Sequence, residues 1–128
     1  MVAEKTLRFQ GKNKDPAWVS QQIVSQLSSE GYKTQSRQAP IGTIIQAQKA
    51  GILRDIILAD RAFTIVVAGQ PNDFTVHIGI GKWIQGIAVV AIETILITWL
   101  FLPVDVPEAL WTLHVENGIA KEITQIVG

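Results

Sequence analysis

From Lys5 to Gln10 the chain alternates, with Leu7 and Phe9 set between Thr6, Arg8 and Gln10, which is the period of a half-buried strand. The period then changes. Asp15 before Pro16 places an N-cap ahead of a proline at the first helical position. Val19, Ile23 and Leu27 recur every four residues up to Gly31, with Trp18 and Val24 beside them, so a short amphipathic helix is predicted. Tyr32 to Ala39 is mostly polar and reads as an edge strand ended by Pro40, and the more apolar Ile41 to Lys49 pairs with it. Gly51 to Asp60 carries Ile52, Leu53, Ile56 and Ile57 on one helical face and reads as a short helix or irregular turn. Arg61 to Gly69 and Phe74 to Gly81 form a hairpin around Gln70-Pro71-Asn72-Asp73. Its second strand puts Phe74, Val76, Ile78 and Ile80 on one side and Thr75, His77, Gly79 and Gly81 on the other, where the glycines leave room for a close approach.

The fold class that follows is α+β, a small antiparallel sheet in the order β-α-β-β-β-β. A long apolar C-terminal helix and a short amphipathic helix come after it. The expected division is an α+β domain over 1–83, the apolar helix over 84–102 and the amphipathic helix over 103–128. Ile84 to Leu102 has a mean hydropathy of roughly 2 per residue. As a helix it would reach about 28 Å, close to the hydrocarbon thickness of a bilayer. Lys82 and Trp83 at one end, with Trp99 and Phe101 at the other, are the residue types of a membrane interface. Pro103 and Pro107 stop the segment. Beyond them Leu110, Leu113, Ile119, Ile123 and Ile126 recur at near-helical spacing, loosened at Asn117-Gly118.

Gly31-Tyr32, the run Gly42-Thr43-Ile44-Ile45-Gln46-Ala47-Gln48-Lys49, the run Arg61-Ala62-Phe63-Thr64-Ile65, and Thr75-Val76-His77-Ile78-Gly79-Ile80-Gly81-Lys82-Trp83 together resemble a family of small bacterial domains of unknown function. In that family a strand-rich core ends in a Gly-x-Gly-Lys/Glu-Trp element and precedes an apolar segment. A short amphipathic helix opening on Leu-Pro-Glu-Glu follows, and Val106-Pro107-Glu108-Ala109 is similar to that opening. The resemblance implies a shape and no activity. Glu93, inside the apolar run, departs from the family pattern.

Composition narrows the chemistry. The 128 residues are 48% hydrophobic and 17% charged, which excludes a disordered tail, and Lys+Arg and Asp+Glu both number 11, so no polyanion or nucleic-acid partner is expected of the whole chain. Without cysteine there is no disulfide, thiol nucleophile or Cys-based metal site. The N-terminus lacks the apolar run of a signal peptide and is expected to stay cytoplasmic. Gly79-x-Gly81 lacks the third glycine of a dinucleotide fingerprint, because Ile84 stands there, and Gly81-Lys82 lacks the P-loop pattern. His77 and His114 have no second ligand at metal spacing, and Asp55 and Asp60 beside Arg54 and Arg61 read as an ion-paired rim. No catalytic, cofactor-binding or metal residues are assigned, and the chain is expected not to be an enzyme.

The position of Glu93 demands a reason, since a carboxylate in mid-membrane costs about 2.5–3.5 kcal/mol. On a helix Gln85, Gly86, Glu93, Thr94 and Thr98 share one stripe suited to helix association. Before residue 83 ten basic residues face six acids, and after residue 102 Lys121 faces Asp105, Glu108, Glu116 and Glu122. That asymmetry predicts a single span with the N-terminal domain in the cytoplasm. The expected protein is membrane-associated and non-enzymatic, its partners being lipid and either a second copy or another protein. The alternative is a soluble cytoplasmic domain whose C-terminal helix packs on the sheet and holds an apolar ligand.

Overall fold

Alternation and capping build the first half of the chain as expected. In the computed structural model, which describes residues 3–49, 60–87 and 98–128, β1 (Glu4–Gln10) is followed by α1 (Pro16–Ser29). The Asp15 carboxylate accepts the Ala17 N–H at 3.0 Å and caps that helix. Next come β2 (Lys33–Ala39), β3 (Gly42–Gln48), β4 (Arg61–Gln70) and β5 (Asp73–Lys82). The five strands form one antiparallel sheet in the order β1-β5-β4-β3-β2, so β2 is an edge strand as its polarity predicts. The β4–β5 turn is tighter than expected, with Gln70 and Asp73 paired and only Pro71 and Asn72 between them. Of the stretch Gly51 to Asp60, read as a short helix or irregular turn, residues 51–59 lie outside the described residues and Asp60 is in a turn.

One face of the sheet buries Phe63, Ile65, Val67, Phe74, Val76, Ile78 and Ile80 under Val19, Ile23 and Leu27 of α1. The same core contains the C-terminal helical run. That run is α2 (Glu108–Trp111), a π-helical segment (Thr112–Ile119) and α3 (Ala120–Val127). The helix expected as a separate C-terminal element is therefore part of the packing of residues 3–82. Its buried stripe also differs from the expected one: Trp111, Val115, Ile119, Ile123 and Val127 face the core, whereas Leu113 is 59% exposed and Leu110 and Ile126 are half-buried. On a pure α-helix each four-residue step rotates the stripe by about 40°. The wider π turn, with Ala120 N–H reaching the Val115 carbonyl, takes up that drift and keeps the five residues on one face.

The other face carries Ile44, Val66 and Ala68 and is covered by Ile84, Ile87, Leu100 and Phe101. This is where the structure departs most from expectation. Among the described residues no helix is long and apolar enough to cross a membrane. Gln85, Gly86 and Ile87 form a turn with Gly86 at φ +66, residues 98–100 are helical, and the Leu102 N–H donates to the Ile80 carbonyl at 2.7 Å. Both flanks of the apolar stretch are thus tied to the sheet, and the continuous helix expected over Ile84 to Leu102 is not found. The physical reason lies in β4, whose side chains from Ala62 to Val67 are buried on both faces. A sheet buried on two sides needs apolar cover for each, and Ile84, Ile87 and Leu100 supply the second.

Candidate functional site

Antiparallel order brings the start of β2, the end of β3, the start of β4 and the end of β5 to one end of the sheet. Lys33, Lys49, Arg61 and Lys82 stand there. Three of the four sit over aromatic rings: Lys33 Nζ is 5.0 Å from the Trp83 ring, Lys49 Nζ 5.4 Å from Tyr32 and Lys82 Nζ 4.5 Å from Trp99. The attraction between an ammonium and a ring face is about 0.5–1 kcal/mol at exposed sites, enough to bias where these flexible side chains rest. Arg61 instead pairs with Asp60 at 3.1 Å. The Trp83 N–H donates to the Asp60 carbonyl at 2.8 Å, which fixes the chain as it leaves β5.

The four residues expected at opposite ends of a membrane helix are therefore distributed differently. Lys82 and Trp99 touch, and Trp83 stands next to Lys82 in the chain. Trp99 remains 40% exposed. Phe101 turns inward, its ring 4.3 Å from that of His77 and lying over Gly79. The close approach predicted for the glycine-bearing side of β5 is real. A Cβ on Gly81 would fall on the Leu100 carbonyl, and one on Gly79 would lie 2.6 Å from Phe101 Cδ1. Of the proposed association stripe, Gln85 and Gly86 are in an exposed turn and Thr98 is exposed at a helical position. Glu93 and Thr94 lie outside the described residues. Because Gln85 and Gly86 are not helical, the described residues do not form the expected stripe.

What the sequence reading missed is a buried polar clamp beneath this end. Gln46 is fully buried at the centre of β3 and all its hydrogen-bonding groups are used. Its Nε2 donates to the Lys82 carbonyl at 2.7 Å and to Thr64 Oγ1 at 3.2 Å, while its Oε1 accepts from the Ile84 N–H at 2.9 Å and from Gln35 Nε2 at 2.8 Å. Gln35 Nε2 also donates to the Ile84 carbonyl at 2.9 Å, and Arg37 Nη1 to the Ile87 carbonyl at 3.1 Å. Side chains of β2 and β3 thus hold the backbone at Lys82, where β5 ends, and at Ile84 and Ile87 beyond it. The visible signal was a glutamine in the otherwise apolar run Ile44-Ile45-Gln46-Ala47.

On the helix side of the same end, Glu30, Tyr32, Lys49, His114 and Glu122 line a cleft of 270 Å³. Burial, with a hydrogen bond and charge repulsion from Glu30, lifts the Glu122 carboxyl to about 7, and burial lifts the Tyr32 phenol to about 12. At the β1 edge, His77 Nε2 lies 3.5 Å from Glu4 Oε1 without making a hydrogen bond. Among the described residues no three His, Cys, Asp or Glu side chains gather as a metal site. Comparison of the chain with known protein families, with characterised proteins and with solved structures finds no match.

Proposed function

We propose that this chain is a membrane-surface domain that acts through contacts rather than through chemistry. It is held to one side of a bilayer by the basic and aromatic end of its sheet together with the apolar stretch between Lys82 and Leu102. The observation that carries this reading is the 4.5 Å approach of Lys82 Nζ to the Trp99 ring. Across a helical span those two residues would stand about 25 Å apart on opposite surfaces. Their meeting suits a stretch that leaves and rejoins the domain on one side. Tryptophan beside lysine is also the pairing that seats at the headgroup level. Residues 88–97, whose sequence is apolar apart from Glu93 and Thr94, connect these two flanks.

The test is flotation of the full chain with lipid vesicles, followed by a carbonate and high-salt wash of the floated fraction. Wild-type protein is expected to float and Trp99→Ala to float less. A chain that stays at the bottom of the gradient with every vesicle composition sinks the proposal.

A second reading, a soluble binding domain whose segment 84–102 covers the sheet, has one observation in its favour, the packing of Ile84, Ile87, Leu100 and Phe101 against Ile44 and Val66. Its apolar-ligand half is less well supported. The space between α1 and α3, lined by Ile23, Leu27, Ile119, Ile123 and Ile126, is closed to a water-sized sphere, with a cavity volume of about 0 Å³, against the range of about 300–1,000 Å³ usual for small-molecule sites. The same flotation experiment separates the two readings.

A further inference from the structure

Resting on the membrane-surface reading, we infer that this end of the domain recognises anionic lipid headgroups, with Lys33 and Lys82 as the phosphate-facing cations and Trp83 and Trp99 as the indoles that seat among the headgroups. The cations at the strand ends are not equivalent. Arg61 is paired with Asp60 at 3.1 Å, and Lys49 shares its cleft with Glu30 and Glu122. Of the four cations at this end only Arg61 is in an ion pair among the described residues; Lys33, Lys49 and Lys82 are not, and of these three only Lys49 lies in a cleft lined by carboxylates. The ammonium groups of Lys33 and Lys82 each rest over an indole, 5.0 and 4.5 Å from the ring centre, and the two indoles flank the same apolar stretch.

An ammonium held over a ring face keeps N–H groups free for an oxygen acceptor on its far side. The chain carries no net charge, so attraction to an anionic surface has to come from a local concentration of cations such as this one. A negatively charged cytoplasmic leaflet attracts basic residues within a Debye length of its surface, which amounts to about fivefold in affinity per lysine.

Binding of the full chain is measured by co-sedimentation with vesicles of phosphatidylcholine alone and of phosphatidylcholine mixed with phosphatidylglycerol. The expected result is about 25-fold tighter binding to the mixed vesicles, a preference that high salt removes. In Lys33→Gln/Lys82→Gln the preference falls to about that of neutral vesicles, Lys33→Arg/Lys82→Arg retains it, and Lys49→Gln stays within about twofold of wild type. Trp99→Ala weakens binding to both vesicle types alike. Equal binding of wild type to both vesicle types, or a preference untouched in the double glutamine variant, overturns the inference and leaves the membrane-surface reading standing. Binding to neither vesicle type overturns both. Capture by a single-stranded oligonucleotide with the vesicles left bare overturns it in favour of a nucleic-acid partner.

Discussion

Gln46 holds Ile84 by its backbone, accepting the Ile84 N–H on Oε1 at 2.9 Å while its Nε2 binds the carbonyl of Lys82 two residues earlier. One amide side chain thus pairs with the chain as a neighbouring strand would, and turns it across the outer face of the sheet. Gln46→Leu keeps the volume and removes every one of these bonds. The groups it abandons are buried, so the expected cost is about 1–3 kcal/mol for each one that water cannot reach. Denaturant unfolding of wild type and variant measures it. A midpoint unchanged by the substitution would show that the clamp holds nothing.

The two glycines of β5 differ in what they face, so their alanine variants differ in cost. At Gly81 the obstacle is the Leu100 carbonyl, part of the backbone and fixed by the Leu102 to Ile80 hydrogen bond beside it. At Gly79 it is the edge of the Phe101 ring, which can swing aside. Gly81→Ala is expected to destabilise by about 2–3 kcal/mol and Gly79→Ala by under about 1 kcal/mol. Thermal melts of the two variants check the order. Equal losses would mean that the covering segment moves as one piece.

The parts of the fold that were legible are those where one period runs without interruption. Leu7 and Phe9, then Phe74, Val76, Ile78 and Ile80, alternate cleanly, and Asp15-Pro16 marks a helix start in any context. The continuous helix expected after Lys82 is not found, because summed hydropathy measures how apolar a segment is and not what its ends pack against. The informative residues were elsewhere. Val66 and Ala68 on the second face of β4, opposite Phe63, Ile65 and Val67, require apolar cover on both sides of the sheet. In the C-terminal helix the α period selected Leu110 and Leu113, and the π segment shifted burial to Trp111 and Val115. Of the candidate site, the residue types Lys82, Trp83 and Trp99 were legible. Their meeting was not, because it depends on the return of the chain and on the Gln46 clamp.

Because Trp111, Val115, Ile119, Ile123 and Val127 complete the core over Phe63 and Ile65, a chain ending at Lys82 is expected to lack cooperative unfolding and to aggregate. The milder test is Trp111→Ala. This side chain is 1% exposed, and its loss should cost about 3–5 kcal/mol. Leu113→Ala, on the opposite side of the π segment and largely exposed, should fall within about 0.5 kcal/mol of wild type. Similar losses for the two variants would contradict the helical phase described for this segment.

The cleft lined by Glu30, Tyr32, Lys49, His114 and Glu122 makes stability depend on pH in a direction opposite to that of most carboxylates. Glu122 is surrounded by Glu30 and Tyr32 on the α1 side, Lys49 at the end of β3 and His114 on the π segment. Burial raises its carboxyl to about 7, and the hydrogen bond and charge of Glu30 act the same way. The folded protein therefore holds this proton more tightly than the unfolded chain, whose carboxyl keeps its ordinary value near 4.5. The contribution is fully present below 4.5 and is lost as pH rises through about 7. Tyr32, lifted to about 12, stays neutral throughout this window and does not add to it. Glu122→Gln carries a permanently neutral side chain of the same shape. Its melting temperature should match wild type near the acid end and exceed it above about pH 7, the two curves diverging through the titration. Glu30→Gln removes the repelling charge, so in that background the divergence should be smaller and complete at lower pH than in wild type. Melting curves for wild type and Glu122→Gln that run parallel from acid to alkaline pH would show that the two carboxyl groups do not share a proton in the fold.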